Sequence, residues 1–350
     1  MQLDMHFYAV FAMARAAGIN GARARTIAYA SQFVDDAIDD DEVVLLGKHA
    51  VVPTMTSHKP LDYKNAIQGD QWKVWIPFHF LPGAESSSGD FIEMITCRKN
   101  SKPARTMMGA MTSKAVDGFG PHILGIAAHA YADTFSHYGF VGISHAVNKV
   151  NAGSIQLNTK QPKTLAGYIK NKLALFQNRL IGTLAETVPV GHGSVATFPD
   201  RPYLEWQFKY EMTGKKEVRS NPATYLEFAQ NLYSFFASYA KRSPDGCNEG
   251  KPWNAVSAAV KKNILEKTPL EQRVTVWRKS TAAGAFSKVT DFDKTIDYKK
   301  EFWQPGQLRY HCSDLKTVKN TDTLRFYRAA FAYRNYVLEE LLPRYNLRIV

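Results

Sequence analysis

Residues 121–142 read PHILGIAAHAYADTFSHYGFVG, and within them His129, Asp133 and His137 follow one another at intervals of four. Four residues turn an α-helix through about 400°, so the three side chains leave one face with only about 40° of drift per step. The remainder of the stretch is Ile, Leu, Ala, Tyr and Phe, which predicts a buried helix. Pro121 suits its first turn, and Gly139 and Gly142 end it. A lone carboxylate inside such a helix costs several kcal/mol unless something compensates. A metal ion gripped by two imidazoles and the carboxylate is the simplest compensation.

The flanking sequence predicts more helices. Residues 1–40 form two, broken at Gly18-Ile19-Asn20-Gly21. Apolar residues at three- and four-residue intervals predict another over 163–187. Residues 221–242 follow with Asn221 as cap and Pro222 in the first turn. Residues 253–280 form one or two helices, and an amphipathic helix over 321–342 closes the chain. Residues 42–90 differ. Val-rich runs, Pro53, Pro60 and the alternation in WKVWIPFHF (72–80) predict an extended or β-hairpin insertion, with GAESSSGD (83–90) as a loop. No repeat or low-complexity linker is visible. The expected fold is all-α: one multi-helix domain over 1–350, with the insertion at 42–90 and a short appended region within 284–320.

Composition narrows the partners. Of 350 residues, 45% are hydrophobic, enough for a sizeable core, and the formal net charge is +12. That balance favours anionic partners: nucleic acid, an acidic membrane surface or a phosphorylated substrate. The three cysteines show no disulfide framework and no CxxC site. No segment reaches 18 uninterrupted apolar residues, so no transmembrane helix is expected. The start, MQLDMHFYAVF, lacks a basic region and carries Asp4 and His6 ahead of its apolar run. It reads as a poor secretory signal, consistent with a cytoplasmic protein or one exported without a cleaved signal.

Further candidate ligands are His6 and Asp4 at the start, Asp35 and Asp36 in SQFVDDAIDDD, His79 in its apolar surroundings, His192 between two glycines, and Asp200. Each alone has a plainer reading. Asp4 can cap a helix, the acidic run can be a solvated helix end, His79 a hydrogen-bonded core residue and His192 a loop residue. His122, His145 and His311 lack an acidic partner at useful spacing and read as structural.

The run ILGIAAHAYADTFSHYGFVG resembles the central helix of the zinc-dependent phospholipase C family. That broad group includes the glycosylphosphatidylinositol-specific phospholipase D branch and, more remotely, single-strand nucleases. In the phospholipase D branch a similar His-x3-Asp-x3-His run is followed by Gly within two residues, as Gly139 follows His137 here. The resemblance implies a largely helical fold, two or three Zn²⁺ ions at the base of a cleft, and phosphodiester cleavage. By chain order it implies one metal on Asp35 or Asp36, His79, His129 and Asp133. A second would share Asp133 and add His6 with Asp4, and a third would take His137, His192 and Asp200. Two features depart from the secreted phospholipases. Their second histidine lies six residues after the aspartate rather than four, and their N-terminal Trp supplies its amino group as a ligand, for which Asp4 is the candidate replacement here.

Imidazole and carboxylate are suitable zinc ligands without thiolate, and such a centre hydrolyses phosphodiesters with water activated by the metal. No serine nucleophile is needed, and GHGSV (191–195) does not match the nucleophile elbow GxSxG. Asp35 or Asp36 is the candidate to orient the attacking water. The expected substrate is an anionic phosphodiester: phospholipid, with peripheral membrane contact, or alternatively nucleic acid. Metals that only staple a non-catalytic binding protein are the third reading.

Overall fold

The computed structural model describes residues 1–38, 43–46, 49–58, 68–84, 89–158, 190–243, 250–290, 292–306 and 315–349, with single positions at 167, 171, 174 and 308. The chain opens with a π-helical stretch, Asp4–Ala9, that passes into α1, Val10–Ala16. The break falls at Gly18, whose φ is +98°. Asn20 then caps α2, Gly21–Asp36, its side-chain oxygen accepting from the Arg23 amide at 2.9 Å. Ser101 caps α3, Lys102–Lys114, in the same manner. The long apolar run forms α4, Pro121–Ser136, buried from His122 onward. Helices α5 (Asn221–Arg242), α6 (Trp253–Ile264), α7 (Leu270–Ala282) and α8 (Asp322–Asn335) complete the main elements.

Helix α4 lies at the centre, packed against α2, α3, α5 and α8. Its approach to α2 is close because position 125 has no side chain. A Cβ there would stand 2.2 Å from the Ile27 carbonyl oxygen and 2.6 Å from the Ala30 Cβ. An exposed mid-helix glycine costs about 0.5–1 kcal/mol relative to alanine, but here alanine would collide with backbone. Gly125→Ala is therefore expected to destabilise the protein by about 2–3 kcal/mol, in the range of overpacked cores. Gly109→Ala, on the exposed face of α3 with open space around it, should leave stability unchanged or raise it. Urea melts of the two variants check the contrast, and equal stabilities would refute the close contact.

The hairpin expected within 42–90 is present as β1 (Val44–Leu46) and β2 (His49–Val51), antiparallel with Val44 opposite Val51 and Leu45 opposite Ala50. Val44 and Val51 pack on Leu308 and Val318. The rest of that segment departs from expectation. Residues read as extended, WKVWIPFHF, are helical: π-helical over Gln71–Trp75 and α-helical over Ile76–Phe78. The apparent alternation arises because Gln71, Val74, Ile76, Pro77 and Phe78 are all buried, leaving little polar face to reveal a helical period.

The all-α expectation is also incomplete, since a three-stranded antiparallel sheet joins β3 (Gln156–Leu157), β4 (Glu205–Lys209) and β5 (Lys216–Ser220). The run KYEMTGKKEVR (209–219) is part of the β4–β5 hairpin. Trp206 and Phe208 point inward from β4 and anchor a second apolar cluster. Asn221 is not a helix cap: its amide donates to the Phe198 and Arg201 carbonyls at 2.8 Å, and its oxygen accepts from the Trp206 indole at 3.2 Å.

The stretch expected as appended contributes Phe286, Ile296 and Trp303 to the main core. Arg15 ties it down, donating to Asp293 Oδ1 at 2.8 Å, Ser287 Oγ at 3.0 Å and the Val289 carbonyl at 2.6 Å. The helix expected over 163–187 lies outside the described residues except for positions 167, 171 and 174, as do Asp39–Asp41, Cys247, His311 and Cys312. Among the described residues no helix is long and apolar enough to cross a membrane.

Candidate metal centre

Five segments converge at the C-terminal half of α4. The helix supplies His129 and Asp133, and its C-cap supplies His137. The opening π-helical stretch brings His6, and the end of α2 brings Asp35. His79 follows the short helix Ile76–Phe78. His192 lies in the 3-10 turn Gly191–Val195, with Asp200 just beyond it. That turn passes tightly over Phe80, because a Cβ on Gly191 (φ +56°) would stand 2.1 Å from the ring.

Asp133 is the hub. Its Oδ1 lies 3.1 Å from His6 Nε2, and its Oδ2 lies 3.1 Å from His79 Nδ1, 3.2 Å from His129 Nε2 and 3.7 Å from His137 Nδ1. Asp35 Oδ1 stands 3.7 Å from His129 and 3.9 Å from His79. Asp200 approaches His137 Nε2 at 3.5 Å and His192 Nε2 at 3.8 Å. Among the described residues, three groups therefore have ligand atoms close enough to share an ion: His6, His129 and Asp133; Asp35, His79 and His129; and His137, His192 and Asp200.

The backbone fixes how these rings point. His129 Nδ1 donates to the Ser31 carbonyl at 2.7 Å, His79 Nε2 to the Thr56 carbonyl at 2.9 Å, His137 Nδ1 to the His79 carbonyl at 2.8 Å and His192 Nδ1 to the Ala196 carbonyl at 2.8 Å. A carbonyl only accepts, so each of those nitrogens carries a proton, and the other nitrogen of each ring is the one left to offer a lone pair to a metal. His129 Nε2 and His79 Nδ1 then face one another at 3.2 Å with the Asp133 carboxylate against both. His6 stacks on His129 at 3.8 Å, and neither of its nitrogens makes a well-formed hydrogen bond; nor does Asp200 Oδ1. The Met1 amine offsets charge at Asp133 Oδ1 and Asp200 Oδ1, but the nitrogens of His129 and His79 that face one another against Asp133 Oδ2 repel unless a further cation lies among them. Histidines anchored through one nitrogen and aimed with the other are arranged as metal ligands are, so these residues fit a metal ion.

Electrostatics agree with that fit. Burial alone would raise the Asp133 pKa, but His137, the Met1 amine, His129 and His6 outweigh it and hold the carboxyl well below its usual range. Burial likewise opposes ionisation of Asp200, and the Met1 amine, His192 and His137 overcome it. Burial, reinforced by His129 and the Met1 amine, keeps His6 neutral, and His192 is lowered to about 4, chiefly by burial. Asp35 goes the other way, raised by burial against the pull of His129 and His79. It is also the most open member, with its side chain 33% exposed, followed by His192 at 19%. The centre thus meets solvent at Asp35 and His192.

Two candidates lie elsewhere. Asp4 points away and pairs with Arg273 Nε at 2.7 Å, both side chains fully buried. Asp36 accepts from Tyr298 Oη at 2.7 Å and Gln32 Nε2 at 3.2 Å, on the far side of the turn from Asp35. Successive helical residues are rotated by about 100°, so adjacent aspartates cannot both face α4. In place of Asp4, the Met1 α-amino group sits 2.8 Å from Asp133 Oδ1 and 3.3 Å from Asp200 Oδ1. Burial disfavours its charge, yet Asp133, Asp200 and Asp35 hold its pKa up to about 11. Side-chain reasoning missed this group because no residue type announces it. Asp4→Asn is expected to leave the metal content unchanged while costing about 3–5 kcal/mol, as when a buried charge loses its partner. Loss of an ion in this variant would restore Asp4 as a ligand.

No curated protein and no solved structure matches this sequence. Residues 1–341 match the family model described as a family of unknown function (DUF6765), and the chain belongs to that family.

Proposed function

We propose that the protein is a zinc-dependent phosphodiester hydrolase of the phospholipase C type. The supporting observation is the convergence of bare imidazole nitrogens on Asp133, with the opposite nitrogens held by backbone carbonyls. The donors are nitrogen and oxygen only, which suits zinc without thiolate, and the groups accommodate two or three ions, with His129, which two of them share, serving one ion through its single free nitrogen. Bound zinc supplies Lewis acidity toward phosphoryl oxygens and lowers the pKa of a water ligand.

The chain's own groups divide the remaining work. His6, His79, His129, His137, His192 and the carboxylates of Asp133 and Asp200 would hold the cations, with one oxygen of Asp35 completing the group of His79 and His129. The other oxygen of Asp35, at the mouth and with its affinity for protons raised, orients the attacking water and accepts its proton. A covalent route through Cys97 is disfavoured, since burial pushes that thiol far above its usual pKa. Phospholipid is preferred to nucleic acid as substrate because the lysine-rich hairpin offers no aromatic platform: Tyr210 turns inward and donates to the Gly139 carbonyl at 3.0 Å.

Zinc-loaded protein is expected to hold two or three ions and to release phosphorylated headgroup from liposomes. Degradation of single-stranded DNA or RNA without headgroup release would replace the lipid reading with a nuclease. Full zinc loading with neither activity would leave a metal-stapled binding protein.

A further inference from the structure

The β1–β2 hairpin has an unusual outer face. In a two-stranded ribbon packed on one side, residues facing solvent are ordinarily polar. Here Val44 and Val51 face inward. The paired alternate positions outside them are Val43, Leu45, Ala50 and Val52, with Leu45 73% and Val52 65% exposed. Both faces of the ribbon are therefore aliphatic. Contiguous exposed apolar surface of this kind marks a contact with something apolar.

The surroundings identify the partner. Leu308, which packs under the hairpin, also lines a cavity of about 710 Å³ walled by Phe302 and Trp303. Phe302 is 62% exposed and follows the exposed Lys299, Lys300 and Glu301, with Lys299 Nζ 5.8 Å from its ring, while exposed Lys319 follows Val318. Aliphatic side chains with Lys299, Lys300, Lys319 and Arg25 nearby, set against the acidic Asp297, Glu301 and Asp322, on a chain of net charge +12, complement an anionic lipid surface. Nucleic acid is a poorer match, because valine and leucine offer no π-face for a base.

The hairpin is also tied to the metal centre. Beyond β2 the chain reaches Thr56, whose amide donates to the Ala37 carbonyl at 3.0 Å, whose hydroxyl donates to the Val34 carbonyl at 2.7 Å, and whose carbonyl receives His79 Nε2. Thr56 lies five positions beyond Val51, at most about 18 Å of extended chain. Val34 and Ala37 bracket Asp35, the open edge of the centre. We propose that the outer face of this hairpin, with Phe302 and its lysines, is a docking surface for an anionic phospholipid bilayer that brings the Asp35 edge beside the headgroups. Its catalytic meaning rests on the hydrolase reading, but the docking itself does not.

The experiment uses zinc-loaded full-length protein and vesicles of phosphatidylcholine with 30% phosphatidylserine, scored by co-sedimentation. Turnover of a soluble chromogenic phosphodiester, bis(p-nitrophenyl) phosphate, is measured in parallel. The wild type is expected to co-sediment, and Leu45→Asp/Val52→Asp to lose at least about tenfold in partitioning while keeping soluble-substrate turnover. Lys299→Glu/Lys300→Glu, which leaves the hairpin untouched, should also bind at least about tenfold more weakly, so misfolding of the first variant would not decide the matter. Wild-type protein that stays in the supernatant, or hairpin and lysine variants that bind like it, overturns the proposal. So does a face that instead mediates self-association or RNA binding, abolished by the same aspartates. Vesicle binding without turnover of any phosphodiester sustains the docking surface and refutes the hydrolase reading alone.

Discussion

Asp133→Asn is expected to empty the centre of zinc and to drop phosphodiester hydrolysis to background. The carboxylate is shared by four imidazoles from three segments, with His6 on one oxygen and His79, His129 and His137 on the other. An amide presents one neutral oxygen and an NH₂ that donates, so it would turn a proton toward lone pairs. It also removes the negative charge that offsets bound cations in a dry interior. The distant carboxylate group should respond differently: His192→Ala removes one ligand from the third cluster only and should retain the remaining zinc. Plasma mass spectrometry of the purified variants, with liposome and soluble-substrate assays alongside, checks both outcomes. Asp133→Asn protein that keeps its full zinc complement and turnover would mean that this carboxylate serves only to pair with its neighbours.

Asp293→Ala is expected to cost about 3–5 kcal/mol of stability, since it strands a buried guanidinium. Arg15 and Asp293 are each at most 1% exposed, and Arg15 holds Ser287, Val289 and Asp293 against the first helix. Replacing both partners with apolar residues, as in Arg15→Met/Asp293→Leu, should recover much of that loss, because an apolar pair carries no desolvation penalty. Urea unfolding of the single and double variants measures the difference. A single-variant loss below about 1 kcal/mol would show that water reaches the guanidinium and that the pair behaves as a surface one. Zinc content should be unaffected in folded protein.

The centre was legible in the sequence where side-chain chemistry and helical period coincide. Three residues at intervals of four on an apolar helix place His129, Asp133 and His137 together without knowledge of the tertiary fold. Positions dependent on other segments were reached through the resemblance, and there the outcome was mixed. His6, His79, His192 and Asp200 do lie beside α4, as does Asp35, but Asp36 turns outward and Asp4 belongs to Arg273. The arginine that captures Asp4 lies 269 positions away in sequence, and no local pattern signals it. The misread segment at 71–78 and the overlooked three-stranded sheet have a common origin. Both are short elements whose burial is set by what packs over them, so periodicity within a few residues carries little information.

The imidazole anchors have a consequence for how such a protein can change over generations. Ser31, Thr56, His79 and Ala196 hold the rings through peptide oxygens, and a peptide oxygen is inherited whatever the codon specifies. A missense change at Ser31 or Ala196 alters the side chain but cannot delete the acceptor. Drift should therefore be tolerated next to the ligands, provided the new side chain fits. Lineages would preserve the aim of the rings through the path of the main chain rather than through the identity of the neighbours.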